Sequence, residues 1–222
     1  MLTTLMLALS AIIAYLLGSV NGSIIISRFL FGQDVRRHGS GNAGLTNFYR
    51  IYGVTGAAGV IAIDVLKGML AALIGGLLLR LAAPEGFEAE FTDTGRVTAT
   101  FCCILGHSFP IFYGFRGGKG ILTGVSCVFV IDYRAALIAL FIFGVLVAAT
   151  HYVSLGSILS TVSVPVTMVA NGFSTRCILI AAAAVLLIVL RHHENINRLI
   201  HHRESKIVFK KDISHKIDND SF

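Results

Sequence analysis

Apolar stretches of helical length, separated by short polar segments rich in glycine, run through almost the whole sequence and leave few folds open to it. A helix needs about 20 residues to cross the hydrocarbon core of a bilayer. Residues 2–26, 54–79, 135–150 and 177–190 meet or approach that length. Residues 97–105, 121–131 and 158–170 are shorter and must recruit their flanks to span. Only 14% of the 222 residues are charged, against about 25% in soluble domains. So few charges cannot cover a water-facing surface, and so apolar a chain is not a disordered one. The expectation is an all-α membrane protein of about seven transmembrane helices, several of them short, in one compact bundle. Residues 1–200 form the single transmembrane catalytic domain in this reading, and 201–222 a polar cytoplasmic tail. A five-span count is its rival.

Seven spans put the two termini on opposite sides. With the C-terminus in the cytoplasm, segments 27–50, 107–120, 151–157 and 191–222 share that side and hold thirteen Lys and Arg. The opposite loops keep four: Arg80, Arg96, Arg134 and Arg176. The positive-inside bias favours this orientation. The net charge of +6 then reads as anchors on an anionic membrane face, and no nucleic-acid partner is expected. Residues 2–26 lack a basic start and an A-x-A site, so they read as a retained span and not as a cleaved leader. Cys102, Cys103, Cys127 and Cys177 show no CxxC spacing and read as small core residues, with no disulfide framework or zinc site.

The orientation gathers the segments rich in Gly, Ser, Asn and His on one face, where they can converge. The first runs Gly39-Ser40-Gly41-Asn42-Ala43-Gly44-Leu45-Thr46-Asn47 to Arg50. Its glycines free the backbone to aim N–H groups at one anion. Ser40, Asn42, Thr46 and Asn47 add neutral donors, and Arg50 a forked cation suited to phosphate. Gly39-x-Gly41-x-x-Gly44 matches the dinucleotide fingerprint only literally, because a membrane span precedes it where a strand is required.

The second segment, Gly106-His107-Ser108-Phe109-Pro110 to Gly117-Gly118-Lys119-Gly120, can point Lys119 at a phosphate held by neighbouring N–H groups. It is not a Walker A loop, which needs glycine at Tyr113 and Ser or Thr at Gly120. Phe109, Phe112, Tyr113 and Phe115 read either as interfacial anchors or as the border of an acyl-chain groove. In the third segment Ser154 and Ser157 are cap or site residues. In the fourth, His192 and Asn195 share a helical face at i, i+3 with Arg198 close by, and His192 can bind phosphate or transfer a proton. His192, His193, His201 and His202 lack a carboxylate or cysteine that would complete a metal set. Asp64 and Lys67, three residues apart in an apolar helix, read either as a mutual structural pair or as substrate-facing charges. His215 to Asp220 fits a His-x4-Asp pattern by chance, within the polar tail.

Taken together, Gly39–Asn47 with Arg50, Asp64 to Gly68, 106–120, 152–157 and 191–199 resemble the bacterial acyl-phosphate:glycerol-3-phosphate acyltransferase family, in the family's order and over nearly the whole chain. The resemblance implies a seven-span enzyme of the bacterial inner membrane with its active site on the cytoplasmic face. It transfers an acyl chain from acyl phosphate to the sn-1 hydroxyl of glycerol 3-phosphate, without coenzyme A, metal or other cofactor. By position, Ser40, Arg50, Lys119, Ser154, His192 and Asn195 match the family's polar site, with Gly117 and Gly118 lending backbone donors. Ser40, Lys119 and His192 are the catalytic candidates. Gly41, Asn42, Thr46, Asn47, Arg50, Ser154, Ser157 and Asn195 join the two glycines as substrate-binding candidates. Asp64, Lys67, His107 and Arg198 are supporting residues. The sequence departs from the family at Leu45, His151 and His202. A monomer is compatible with this reading. A transporter of a phosphorylated metabolite is the alternative, opposed by polar segments that gather on one face and not at the midplane.

Overall fold

The computed structural model describes residues 1–207 and is all-helical over them. The helices are α1 (Leu2–Ser19), α2 (Gly22–Phe31), α3 (Leu45–Tyr52), α4 (Ala57–Leu81), α5 (Glu88–Ser108), α6 (Ile121–Ile131), α7 (Tyr133–Thr150), α8 (Val153–Ala170), α9 (Thr175–Arg191) and α10 (His193–Ile200). The seven stretches expected to span correspond to α1 and α4 to α9. By length and composition Leu2–Phe31, α4, α7 and α8 can each cross a membrane, and α9 joins them when its continuation α10, bent by 59°, is counted with it. Helices α4 and α5 form the centre, with α1 and α6 against both, α9 on α5, and α7 and α8 on the far side.

Several boundaries differ from expectation, each for a local reason. The first span stops at Ser19, because Asn21 turns its side chain to accept the Ile24 N–H and so starts a new helix, α2. Residues 88–95, which lie between two of the expected spans, are inside α5, whose first turn carries Glu88 and Glu90, where negative charge complements the helix dipole. Ser154 and Ser157 sit in the first turns of α8 and not in a loop. Asp132 caps α7 by accepting the Arg134 N–H, and it binds the Asn171 amide at the end of α8. The tail residues 201–207 fold back on the bundle: Ile207 N–H donates to the His151 carbonyl at 2.8 Å. His215 and Asp220 lie outside the described residues.

Small residues let the central helices touch. A Cβ on Gly18 would overlap the Cys103 carbonyl, and one on Gly106 that of Tyr15. Cβ atoms on Gly75 and Gly95 would overlap each other's backbone or its neighbours. Close backbone approach of this kind supplies the dispersion contacts that hold helices together where lipid removes the hydrophobic drive. At the centre of the bundle lies a buried charged pair, Asp64 and Lys67, whose ammonium is fully engaged. Lys67 Nζ lies 2.7 Å from Asp64 Oδ1, 2.6 Å from the Val20 carbonyl oxygen and 2.9 Å from His107 Nδ1.

Candidate active site

The first loop is built by Asn47. Its amide donates to the carbonyls of Val35, His38 and Asn42, and its Oδ1 accepts the Ser40 N–H. Gly39 and Gly41 take left-handed φ of +59° and +69°, and a Cβ on Gly39 would overlap Asn47 Oδ1. Asn47, expected to contact phosphate, is therefore the loop's organiser: both ends of its amide are occupied. The Gly41 N–H is likewise engaged, with the His38 carbonyl. Free donors remain at the start of α3. That helix begins after Gly44 without a side-chain cap, so its first-turn N–H groups, that of Thr46 among them, are open to an anion. Ser40 and Arg50 are exposed beside it, and Arg50 also reaches the Ser205 carbonyl at 3.2 Å.

A second correction concerns the glycine loop. The Gly117 and Gly118 N–H groups donate to the carbonyls of Ser108 and His107 at 3.2 and 3.1 Å. They terminate α5 and are not available to phosphate. Arg36 locks this loop to the first one, donating to the Tyr113 and Arg116 carbonyls at 2.7 and 2.9 Å. Asp34 in turn receives Nε and Nη2 of Arg36, and those bonds hold its carboxyl well below the usual range. Neither residue stood out in the sequence.

Lys119 is half-buried and donates to Asn195 Oδ1. Burial pulls its pKa down to about 8 against the opposing pull of Glu204. Asn195 passes the contact on, its amide donating to Glu204 Oε1 at 2.6 Å. Glu204 is a residue at this cavity that sequence reasoning missed. Its carboxylate also accepts from Ser154 Oγ at 2.8 Å and Arg198 Nε at 2.7 Å. Burial raises its pKa, but these bonds outweigh burial and hold it below the ordinary value. Ser154 thus turns to Glu204 and does not cap α8; Ser157 lies buried one turn further on. His192, at the break between α9 and α10, donates Nδ1–H to the Ile188 carbonyl at 2.8 Å. A carbonyl only accepts, so neutral His192 keeps its free lone pair on Nε2.

These groups surround the polar end of a cavity of about 540 Å³. Ser40, Asn42, Thr46, Arg50, Lys119, His192, Asn195 and Glu204 all line it, with Ser154, Ser157, Asp64 and His107 in the wall. From there it runs between α6, α8 and α9 past Ile104, Val125 and Ala181 to Met168 and Asp132. Of the four aromatics in the second segment, Phe115 lines it; Phe109 instead lies under the Arg191 guanidinium. Cations and N–H donors at one end and an apolar channel at the other suit a molecule with an anionic head and a hydrocarbon chain.

Comparison with known proteins reaches the same chemistry. The family model described as Glycerol-3-phosphate acyltransferase matches residues 8–202. A protein of that name from Thermoanaerobacter sp. (strain X514) is 39% identical over 205 residues, 92% of this chain and 98% of the relative. The crystal structure of PlsY (YgiH), described as an integral membrane glycerol 3-phosphate acyltransferase in its glycerol 3-phosphate form, superposes with a TM-score of 0.80 at 34% identity. The match covers 91% of this chain and 96% of that one. Its lysophosphatidic acid form gives 0.78 at 32% identity, over 91% and 95%.

Proposed function

The chain belongs to the membrane-integral glycerol-3-phosphate acyltransferase family, and from that membership we propose that its donor is an acyl phosphate and its acceptor the sn-1 hydroxyl of glycerol 3-phosphate. The enzyme makes lysophosphatidic acid, the first acylated intermediate of phospholipid synthesis, and it does so within a bilayer. The transporter alternative loses its ground with the family assignment. We place the active site on the cytoplasmic face of a bacterial inner membrane, where the basic loops gather and a soluble phosphorylated acceptor can meet a lipid-like donor.

One observation carries the donor assignment. The polar end of the cavity is lined by Arg50 and Lys119 together with Arg116, Arg191 and Arg198, with the open N-terminus of α3, above an apolar channel. Two phosphate groups fit such an arrangement, one on each substrate. An acyl phosphate is already activated, so no enzyme-bound acyl group is needed. The sn-1 oxygen attacks the acyl carbonyl carbon and the bond from that carbon to the phosphate oxygen breaks. Inorganic phosphate leaves, stabilised by Lys119. Arg50, His192 and Asn195 hold the acceptor, with Ser40 beside them. The hydroxyl proton passes to His192 Nε2 or to the departing phosphate. Glu204 orients Asn195 and Ser154 through the bonds described above.

Purified protein given labelled glycerol 3-phosphate is expected to form lysophosphatidic acid with acyl phosphate and not with acyl-CoA. Lys119→Ala and Arg50→Ala are each expected to lower the rate at least about a hundredfold in folded protein, the scale of losing one transition-state donor. Product from acyl-CoA alone overturns the donor assignment, and a trapped acyl-Ser40 overturns direct attack.

A further inference from the structure

The buried ion pair of α4 is tied to both phosphate-facing loops. An ammonium has three donors, and those of Lys67 go to three different segments: Asp64 on its own helix, the Val20 carbonyl at the α1–α2 break, and His107 Nδ1 at the end of α5. Asp64 Oδ1 also accepts the Gly22 N–H at 3.2 Å, the first residue of α2. Two lines of contact leave this point. One passes through the α1–α2 break to Asn21, whose amide donates to the Ala43 carbonyl at 3.0 Å, inside the first loop. The other passes through His107. Its carbonyl accepts the Gly118 N–H, and a Cβ on Gly118 would overlap its Nε2 and press on the Ala43 carbonyl. The two lines therefore meet where the loops touch, one residue from Lys119 and one from Asn42.

We propose that Lys67, with Asp64 and His107, is the positioning residue that registers the Ser40–Thr46 loop against the Gly117–Lys119 loop, so that both substrate phosphates are held in one geometry. A charged Lys67 can only donate, so His107 Nδ1 accepts and its proton sits on Nε2, against the seam. Asp64 and His107 also form part of the cavity wall, so a shift of this unit is a shift of the site. An Arg cannot replace Lys67: a planar fork does not meet three acceptors set around a point charge.

The inference rests on the proposed two-phosphate reading, and its test is separable from it. Lys67→Arg keeps the charge. His107→Asn keeps an oxygen acceptor for Lys67 and removes the N–H at the seam. Each purified variant is compared with the wild type for thermal unfolding in detergent and for KM toward glycerol 3-phosphate and toward acyl phosphate. The expected result is a rise of about tenfold or more in both KM values together, the scale of misplacing reactants by a fraction of an ångström, with unfolding close to wild type for His107→Asn. Arg50→Lys, by contrast, should raise KM for glycerol 3-phosphate alone. Unchanged KM values in folded His107→Asn overturn the proposal, as does a rise confined to one substrate. If Lys67→Arg does not fold, the His107 variant decides alone. Should the wild type use another donor, the donor assignment fails. The coupled rise is then read with that donor, and its absence still overturns the positioning role.

Discussion

Lys119 illustrates how one side chain's surroundings set working conditions. An ordinary lysine keeps its charge to 10.5, but burial lowers this one to about 8. In the free enzyme, its positive charge is present below that pH and lost as pH rises through it. A bound phosphate favours the charged form, so phosphate affinity weakens on the alkaline side. The pH profile of kcat/KM reports the free enzyme; it is expected to fall as pH rises through about 8. A profile flat to pH 10 would show that the Lys119 charge is not used. Glu204 shows the limit of reading residues from sequence. It stands in a basic segment, Arg203-Glu204-Ser205-Lys206, where a carboxylate reads as solvated. Only the return of the chain beneath α8 puts it beside Ser154, Asn195 and Arg198. Asn47 erred in the other direction: its amide resembles a ligand donor until the loop closes around it.

Elements whose boundaries are marked by abrupt polarity changes were legible: the apolar run 121–131 is α6 to the residue, although it gains none of the flanking length it was expected to recruit. Those that begin in charged sequence were not, because hydropathy sees only the lipid-facing part of a helix and α5 extends beyond it. The same limit hid the fate of the glycine loop, whose N–H groups terminate α5. Helix contacts make a further prediction. Gly95 on α5 faces the Gly75 carbonyl on α4 without room for a side chain, so Gly95→Leu must force the helices apart and cost about 3 kcal/mol. Gly144 on α7 has open space around its Cβ position and no left-handed φ. Gly144→Ala should leave stability unchanged or raise it by up to about 1 kcal/mol through helix propensity. Thermal unfolding of both variants in one detergent checks the pair; equal midpoints would mean that α4 and α5 do not meet at Gly95.

At the scale of the molecule, the bundle brings four distant segments to one end of a cavity whose lining extends to Asp132. The sequence predicted this convergence from the parity of spans and the bias of positive charge, without any of the contacts that enforce it. Orientation in the membrane is directly measurable. Arg37 and Arg116 are exposed at the loop end and Arg134 at the opposite end, while Cys103, Cys127 and Cys177 are buried. An impermeant thiol reagent on sealed vesicles should modify Arg37→Cys and Arg116→Cys from the same side and Arg134→Cys from the other. Labelling of the first two from opposite sides would dismantle the shared pocket.

Glu204 also lies downstream of every described helix. A chain stopped after Ile200 contains all of α1 to α10 but lacks the carboxylate that joins α8 to α10. The helices and the carboxylate that braces their polar end are therefore separable: such a chain should still form the bundle, with Ser154, Asn195 and Arg198 left without their common partner.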